Sequence, residues 1–285
     1  MAQGLKEIRR RINSVKNIRK ITAAMKMVAA ANLRRAQQRA EAARPYAEAI
    51  RGVLLRLAAN AGVEHPLLVE RPVQGTLAVV VTSDRGLAGA FNSNINRAAA
   101  QLLRDAPGPK IVAVGRKARD FFRRRHYDLV TDYTGLGDVL RFAQAERIAG
   151  EVTQLFLAGQ CDQVLLVYPQ FVNAITSRPV SVRLLPLGGQ DLEGAGSSEG
   201  EYIFEPDPAF VLERLLPHYI SVLVYRALLE SKASEFGARM AAMDNATRNA
   251  GEVIERLTLV SFRVRQAAIT AEIAEIVGGA TALQG

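Results

Sequence analysis

Cysteine, tryptophan and histidine are scarce in this sequence. Cys161 is the only cysteine among 285 residues, and there is no tryptophan. A single thiol excludes a disulfide framework within the chain and a switch between two of its own thiols. The three histidines, His65, His126 and His218, lack the spacing of metal ligands. These shortages argue against a disulfide-stabilised secreted domain and against a histidine-based metalloenzyme.

Long hydrophobic runs are also missing. No apolar run approaches the roughly 18–20 residues that a helix needs to span a bilayer. The first residues, MAQGLKEIRRRI, lack the apolar segment of a signal peptide. We therefore expect the chain to stay in the compartment where it is made.

Positive charge is concentrated in one segment. The whole chain carries a formal charge of +9, but residues 1–58 hold 14 Lys and Arg against three Glu, which gives +11. The remaining 227 residues therefore sum to −2. A segment so basic is expected to meet acidic partners.

The N-terminal segment has the pattern of one long helix. Apolar residues recur there at spacings of three and four, the helical period, at Leu5, Ile8, Ile12, Val15, Ile18, Ile21, Met25 and Val28. No proline occurs before Pro45, where we expect a kink, and the pattern then resumes to about Ala59. The forty residues 5–44 would make a helix about 60 Å long, which is too long for a compact domain.

The middle of the chain alternates between strands and helices. Val-rich runs predict strands at TLAVVVT (76–82), KIVAVG (110–115), QVLLVYP (163–169) and, less clearly, PVSVRLLPL (179–187). Helical stretches are predicted at roughly 92–105, 116–125 and 138–158. Continuous apolar strands separated by helices are typical of a small doubly wound, Rossmann-like α/β domain.

The C-terminal segment returns to the helical period and has no proline after Pro217, where the last helix is expected to start or kink. Steps of 7, 4, 3, 4 and 3 predict a coiled-coil seam at Phe262, Ile269, Ile273, Ile276, Ala280 and Leu283. Residues 266–285 contain two glutamates and no lysine or arginine.

The fold class predicted from these patterns is α/β, with a long antiparallel coiled coil of the two terminal helices and an inserted doubly wound domain. The predicted division is an N-terminal helix (1–59), an α/β domain (76–187), a flexible connector (188–207) and a C-terminal helix (208–285).

One glycine-bearing turn, SDRGLAGAFN (83–92), leads from the first predicted strand into a helix. Such a turn can bind an anion through backbone N–H groups, but it matches neither G-x-G-x-x-G nor the P-loop motif. The other interpretation is a structural turn in which Asp84 and Arg85 cap, pair or contact a partner. We also expect Glu272 and Glu275 to be polar positions of a helix and not an acid/base pair.

Two other classes of function remain open on composition alone. The charge of residues 1–58 suggests a basic helical nucleic-acid-binding protein, although Tyr46 is the only aromatic residue there and the basic positions surround the helix. Residues 83–92 suggest a nucleotide-binding α/β enzyme. Neither pattern is specific.

Several segments carry a family resemblance. They are IRRRINSVKNIRKITAAMKMVAAANLRRAQ (8–37), SDRGLAGAFN (83–92), YIFEPDP (202–208), ARMAAMDNATRNA (238–250) and RQAAITAEIAEIVGGA (265–280). In this order they resemble the signatures of the gamma subunits of the rotary F-type ATP synthase, bacterial type, over essentially the whole chain.

The resemblance implies a non-catalytic subunit of a proton-translocating ATP synthase. The terminal helices would form the central rotor shaft, with a low-charge tip inside the catalytic head of alpha and beta subunits, and the lower part would rest on the membrane proteolipid (c) ring beside the epsilon subunit. One copy of the chain per complex, no bound cofactor or metal, and no nucleic acid are implied; ATP, ADP and Mg²⁺ would bind the alpha and beta subunits. The implied location is the cytoplasmic face of the cell membrane, reached peripherally through the ring.

The resemblance also implies two sets of partner contacts. Positions that match the family's contacts with beta are Met25, Lys26, Arg239, Arg265, Gln266 and Thr270. Positions that match its contacts with epsilon and the ring are Arg85, Tyr202 and Glu205. Ser261 and Phe262 stand where the family usually has Tyr-Asn, so the local polar contact there differs.

Overall fold

A computed structural model describes residues 2–61, 65–187 and 207–284, with side chains described except at 2–3, 58–61 and 279–284. These residues form five α-helices and five β-strands. In chain order they are α1 (Ala2–Ala61), β1 (Thr76–Val81), α2 (Phe91–Leu102), β2 (Pro109–Val114), α3 (Arg116–Arg123), β3 (Asp128–Tyr133), α4 (Phe142–Leu157), β4 (Gln163–Phe171), β5 (Ser177–Leu185) and α5 (Pro208–Gln284).

The five strands form one sheet in the order β3-β2-β1-β4-β5. The first four strands of this order run parallel, and β5 pairs with β4 in the antiparallel direction. The predicted α/β fold class is confirmed. Strand β3 was not predicted, because it lies at the sheet edge, where only Tyr133 of its six residues is fully buried. The continuous apolar run that revealed β1, buried at every position, is therefore absent from β3.

The two faces of the sheet are covered by different helices. Helices α2 and α3 cover one face, where Ile95 and Phe122 are almost completely buried. Helix α4 covers the other face together with parts of α1 and α5, and Phe156, Leu57 and Leu216 are each 0% exposed there. Truncating a buried phenylalanine to alanine costs about 3–5 kcal/mol, so both layers are needed for the fold.

The chain divides into two compact units. One comprises residues 30–239 and contains the whole sheet; the other comprises residues 1–29 and 240–285 and contains only segments of α1 and α5. Both terminal helices contribute to both units. The domain boundaries predicted from the sequence stay a prediction, since they divide the chain by secondary structure and not by packing.

Both prolines in the long helices lie within continuous helix. Pro45 is inside α1 and Pro217 is inside α5, so the last helix does not start at Pro217, and the kinks expected at the two prolines stay predictions. Helix α5 starts at Pro208, and the Asp207 carboxylate accepts a hydrogen bond of 2.9 Å from the N–H of Phe210. A capping carboxylate followed by proline in the first helical position is a strong start signal.

The fold makes the single thiol unreactive. Cys161 is 2% exposed, and burial raises the pKa of its thiol to about 11, so it stays protonated at neutral pH. Because the thiolate is the reactive form, we expect maleimide to label native protein at pH 7 very slowly and denatured protein fully, as measured by mass spectrometry. A Leu87→Cys variant, whose parent side chain is 63% exposed, is the positive control. Equal labelling rates of Cys161 and Cys at position 87 in the native protein would contradict this burial.

Candidate functional site: the turn after β1 and the paired helices

The polar side chains Ser83, Asp84 and Asn92 of the turn after β1 make hydrogen bonds within the turn and to neighbouring segments. The Ser83 N–H donates to Asn92 Oδ1 at 3.0 Å, and the Ser83 hydroxyl donates to the Arg85 carbonyl at 2.7 Å. The Asp84 carboxylate accepts backbone N–H groups from Arg116 and Gly135, each at 2.9 Å. These bonds tie the turn to the start of α3 and to the loop after β3, which favours the structural interpretation of residues 83–92 over an anion site.

Beside this turn, five charged side chains of residues 30–239 form one network. Within α5, Glu235 accepts from Arg239 at 2.7 Å and from Lys232 at 2.9 Å. Arg239 Nη2 also donates to the Gly86 carbonyl at 3.3 Å. The network continues to Asp138, whose carboxylate lies 3.8 Å from Lys232 and 3.5 Å from Arg85.

The burial of this network is unequal. The side chain of Glu235 is 4% exposed and that of Arg239 is 11% exposed, whereas that of Arg85 is 75% exposed. Arg85 and Arg239 were assigned to different partners by the resemblance, and the structure places them around the same turn. The contacts of Arg85 and Arg239 with partner subunits stay predictions. Of the two side chains, Arg85 has the larger exposed surface for such a contact.

Sequence reasoning missed Lys232, Glu235 and Asp138. Lys232, Glu235 and Arg239 are spaced three and four apart, so they share one face of a helix. Such spacing is common on solvated helix surfaces, and a buried network was therefore not recognisable from the sequence alone.

The two segments of the smaller unit pair in opposite directions. Lys26 Nζ donates to Asp244 Oδ1 at 2.6 Å, and the hydroxyl of Thr247 donates to that of Thr22 at 2.8 Å. Farther toward the start of α1, Val15 lines a groove with Leu257. Residue numbers fall along α1 as they rise along α5, so the predicted antiparallel pairing is observed in this unit.

The α1 side of the seam uses only part of the apolar pattern that predicted this helix. Ile18, Ile21 and Val28, which belong to that pattern, are 52%, 58% and 61% exposed and lie outside the seam. The spacing that starts with the half-buried Leu5, Ile8, Ile12 and Val15 continues at the positions of Thr22 and Ala29, which are 8% and 2% exposed. Because the seam residues Thr22 and Ala29 are small or polar, they add nothing to the apolar pattern of the sequence, whereas the adjacent exposed residues do.

The α5 side of the seam is displaced by one residue from the predicted one. Phe262, Ile269, Ile273 and Ile276, predicted as seam positions, are 53%, 49%, 56% and 71% exposed. Half-buried or buried side chains occur instead at steps of four and three, at Met243, Thr247, Ala250, Ile254, Leu257, Ser261, Val264 and Ala268. Ala280 and Leu283 lie outside the residues whose side chains are described. Coiled-coil pairing is retained, but the predicted large apolar residues of α5 face outward.

The positions predicted to contact beta are largely exposed in the paired segments. Met25 and Lys26 are half-buried beside the exposed Met27, whereas Arg265, Gln266 and Thr270 are exposed. The Arg265 guanidinium lies 5.3 Å from the centre of the Phe262 ring, and the Thr270 hydroxyl donates to the Gln266 carbonyl at 3.0 Å. Phe262, a departure from the family pattern, thus stacks with Arg265. Their contacts with beta stay predictions.

The remaining predictions concern the foot, metals and membrane spans. Tyr202 and Glu205 lie outside the described residues, so their predicted contacts are not placed. Among the described residues, no three His, Cys, Asp or Glu side chains gather in a way that could hold a metal ion. Within residues 2–61, 65–187 and 207–284, no helix has both the length and the apolar character to cross a bilayer.

The sequence matches the family described as ATP synthase over residues 4–283. The ATP synthase gamma chain of Desulforamulus reducens is 55% identical over 280 residues, which cover 98% of this chain and 99% of that protein. The ATP synthase gamma chain of Symbiobacterium thermophilum is 49% identical over an alignment of 290 positions, which covers 100% of this chain and 100% of that protein.

Solved structures give the same similarity. A chain in the central stalk and c-ring structure of the mitochondrial ATP synthase of Tetrahymena thermophila has a TM-score of 0.63 and 30% identity, covering 79% of this chain and 99% of that one. A chain of the Euglena gracilis mitochondrial enzyme has a TM-score of 0.73 and 20% identity over 99% and 95% of the two chains, which shows a shared fold.

The contact between Lys26 and Asp244 predicts an acid-sensitive pairing. The hydrogen bond from Lys26 lowers the pKa of Asp244 below its ordinary value of 3.8. A lowered pKa stabilises the folded state above the ordinary pKa, and this stabilisation is lost as the pH falls through the folded-state pKa. We expect the Tm of the full chain to exceed that of Asp244→Asn at pH 7, and the difference to shrink below pH 3.8.

The measurement is the Tm of both proteins by circular dichroism at pH values from 7 to about 3, where carboxylates with lowered pKa values take up protons. A Glu7→Gln variant serves as a control, since Glu7 pairs only with Arg11 of its own helix at 2.7 Å. A Tm difference for Asp244→Asn that stays constant over the whole range would refute the contribution of the ion pair.

Proposed function

Because this chain belongs to the gamma-chain family of the F-type ATP synthase and is the central rotor shaft of that complex, we propose that it transmits torque without performing chemistry itself. It associates with the catalytic head and with the membrane ring. The observation that carries the torque proposal is the antiparallel pairing of α1 and α5 segments in the smaller unit. Two paired helices resist twisting and bending better than either one alone, as a shaft requires.

The turn after β1 supports a non-catalytic role. Its Ser83, Asp84 and Asn92 side chains are engaged with backbone groups of the chain itself. A phosphate-binding loop instead leaves its N–H groups and side chains pointing at the ligand. ATP, ADP and Mg²⁺ are therefore assigned to the alpha and beta subunits in this proposal.

The exposed apolar residues of α1 and α5 support the proposal that this chain contacts the catalytic head of alpha and beta subunits. Ile18, Ile21, Met27 and Val28 are more than half exposed on α1, and Ile273 and Ile276 are so on α5. Contiguous exposed apolar surface marks a site of protein–protein contact. We assign these stripes to the alpha and beta subunits, with Met25, Lys26, Arg239, Arg265, Gln266 and Thr270 as the contacts with beta.

A second set of contacts is assigned to the epsilon subunit and the proteolipid (c) ring. Arg85, Tyr202 and Glu205 are the proposed contacts, and the exposed guanidinium of Arg85 is available for one of them. One copy per complex, held at the cytoplasmic face of the cell membrane through the ring, completes the proposal.

The rotor function is tested by direct observation of rotation. A Cys161→Ser, Ile175→Cys double variant carries its only thiol at a position that is 80% exposed. With the head of the assembled complex fixed to a surface and a bead attached to this thiol, the bead should rotate when ATP is added. A stationary bead on complexes that hydrolyse ATP would overturn the assignment.

The contact of Lys26 with beta gives a second prediction. We expect Lys26→Glu to lower the protons pumped per ATP hydrolysed, because the acidic partner surface expected for the basic segment 1–58 would then meet a negative charge at the proposed contact with beta. Pumping and ATP hydrolysis are measured together on inverted membrane vesicles.

The control for Lys26→Glu is Asp244→Asn, because Lys26 also pairs with Asp244 inside the chain at 2.6 Å. If both variants lose coupling equally, the effect comes from the helix pairing and the assigned beta contact is wrong. Loss in Lys26→Glu alone supports the contact.

A further inference from the structure

The packing of α5 changes character between residues 231 and 239. Before this stretch, α5 buries large apolar side chains such as Leu216, Ile220 and Leu228 against the sheet. Within it, the buried positions are mostly small or polar, namely Ser231, Ala233, Ser234, Glu235, Phe236 and Gly237. Apolar packing is not directional, whereas hydrogen bonds and ion pairs fix an orientation. The helix is thus held by a different kind of contact here.

One side of this stretch is held by the charged network. Lys232 reaches Asp138 in the loop after β3, at 3.8 Å. Arg239 reaches the Gly86 carbonyl in the turn after β1, at 3.3 Å. Glu235 lies between Lys232 and Arg239 on the helix and accepts from both.

The other side of the stretch is held by β4 and the hairpin that follows it. The Ser234 hydroxyl donates to the Pro169 carbonyl at 3.2 Å. Gly237 packs so closely on the hairpin that a Cβ atom there would lie 2.6 Å from the Ala174 backbone oxygen. At about 100° per residue, positions 234 and 237 point roughly opposite to positions 232, 235 and 239.

Two sets of directional contacts on opposite sides of a helix prevent it from turning about its own axis. We propose that residues 232–239 form a rotational lock, through which torque passes between the α/β domain and α5, and that Glu235 is its positioning residue. This inference rests on the proposed function, since a chain that carries no torque needs no such lock. It adds the residues at which torque enters the helix.

Glu235 acts through its two neighbours. Its carboxylate, 4% exposed, holds the ammonium of Lys232 and the guanidinium of Arg239 in place. These two cations make the contacts with the loops. Without the negative charge, they would repel each other, and at 16% and 11% exposure they would have little water to replace it. The side chains of Lys232 and Arg239 would then turn toward solvent, and their contacts with Asp138 and Gly86 would be lost.

The test compares Glu235→Gln with the parent in the assembled membrane complex. We expect the ATPase activity of the detached head, still containing this chain, to stay unchanged, because torque between ring and head is not needed there. In inverted vesicles, we expect loss of ATP-driven proton pumping at an unchanged rate of ATP hydrolysis. A merely destabilised chain would instead lower assembly and both activities together.

The matched control is Glu230→Gln, which makes the same chemical change five residues earlier on α5. Glu230 pairs with Arg226 of the same helix at 3.0 Å and is 13% exposed. It should pump as the parent does. Glu235→Asp, which restores the charge, should recover part of the pumping lost in Glu235→Gln.

Asp138→Asn keeps the experiment decisive if Glu235→Gln does not assemble, since Asp138 is 41% exposed and its change leaves no buried charge alone. It should reduce pumping in the same direction. Normal pumping in every lock variant that assembles would overturn the lock, as would equal loss in Glu230→Gln. Because the bead on position 175 tests rotation of the parent complex separately, a failed lock is distinguishable from a failed rotor assignment.

Discussion

The burial of one sheet face beneath α1, α4 and α5 is the interaction on which the rest of the structure depends. Leu54 and Leu57 of α1 and Leu216 and Ile220 of α5 are at most 1% exposed in this layer. Long helices gain most of their stability from tertiary packing and little from intrinsic propensity. The parts of the 60-residue α1 and the 77-residue α5 that cover the sheet are therefore stabilised by this packing, and the segments in the smaller unit by pairing with each other.

In the smaller unit, the pairing depends on register more than on apolar area. Thr22 meets Thr247 where a typical coiled coil would have leucine or isoleucine, and Lys26 pairs with Asp244 at the margin of the seam. A polar layer in a seam lowers stability but penalises every shifted register, because the shifted groups lose their partners. Large apolar residues such as Ile21 and Ile276 lie on the exposed side of the paired helices and not in the seam. Polar residues in the seam thus set the register, and apolar residues outside it form the exposed surface.

Strands that are buried along their whole length could be predicted from the sequence, whereas a partly buried strand could not. Val-rich runs revealed β1, β2 and β4, whereas the edge strand β3, with Asp128 and Asp132 in it, resembled a loop. Helical periodicity located α1 and α5 but could not distinguish two adjacent stripes on a helix, so Phe262 was assigned to a seam that it does not join. The predicted partner contacts came only from the family resemblance. Glu235 was missed because a buried and a solvated charge look alike in sequence.

The chain places directional and non-directional contacts in different regions. Residues 232–239 make hydrogen bonds and ion pairs to two loops and to strand β4, and each of these contacts loses its energy when the angle or distance changes. Ile269, Ile273 and Ile276 present only hydrocarbon, whose burial depends on area and hardly on angle. A surface that rotates against its surroundings has low energy barriers only if its contacts are non-directional. A junction that carries torque needs directional contacts, and Glu235 is placed to hold them.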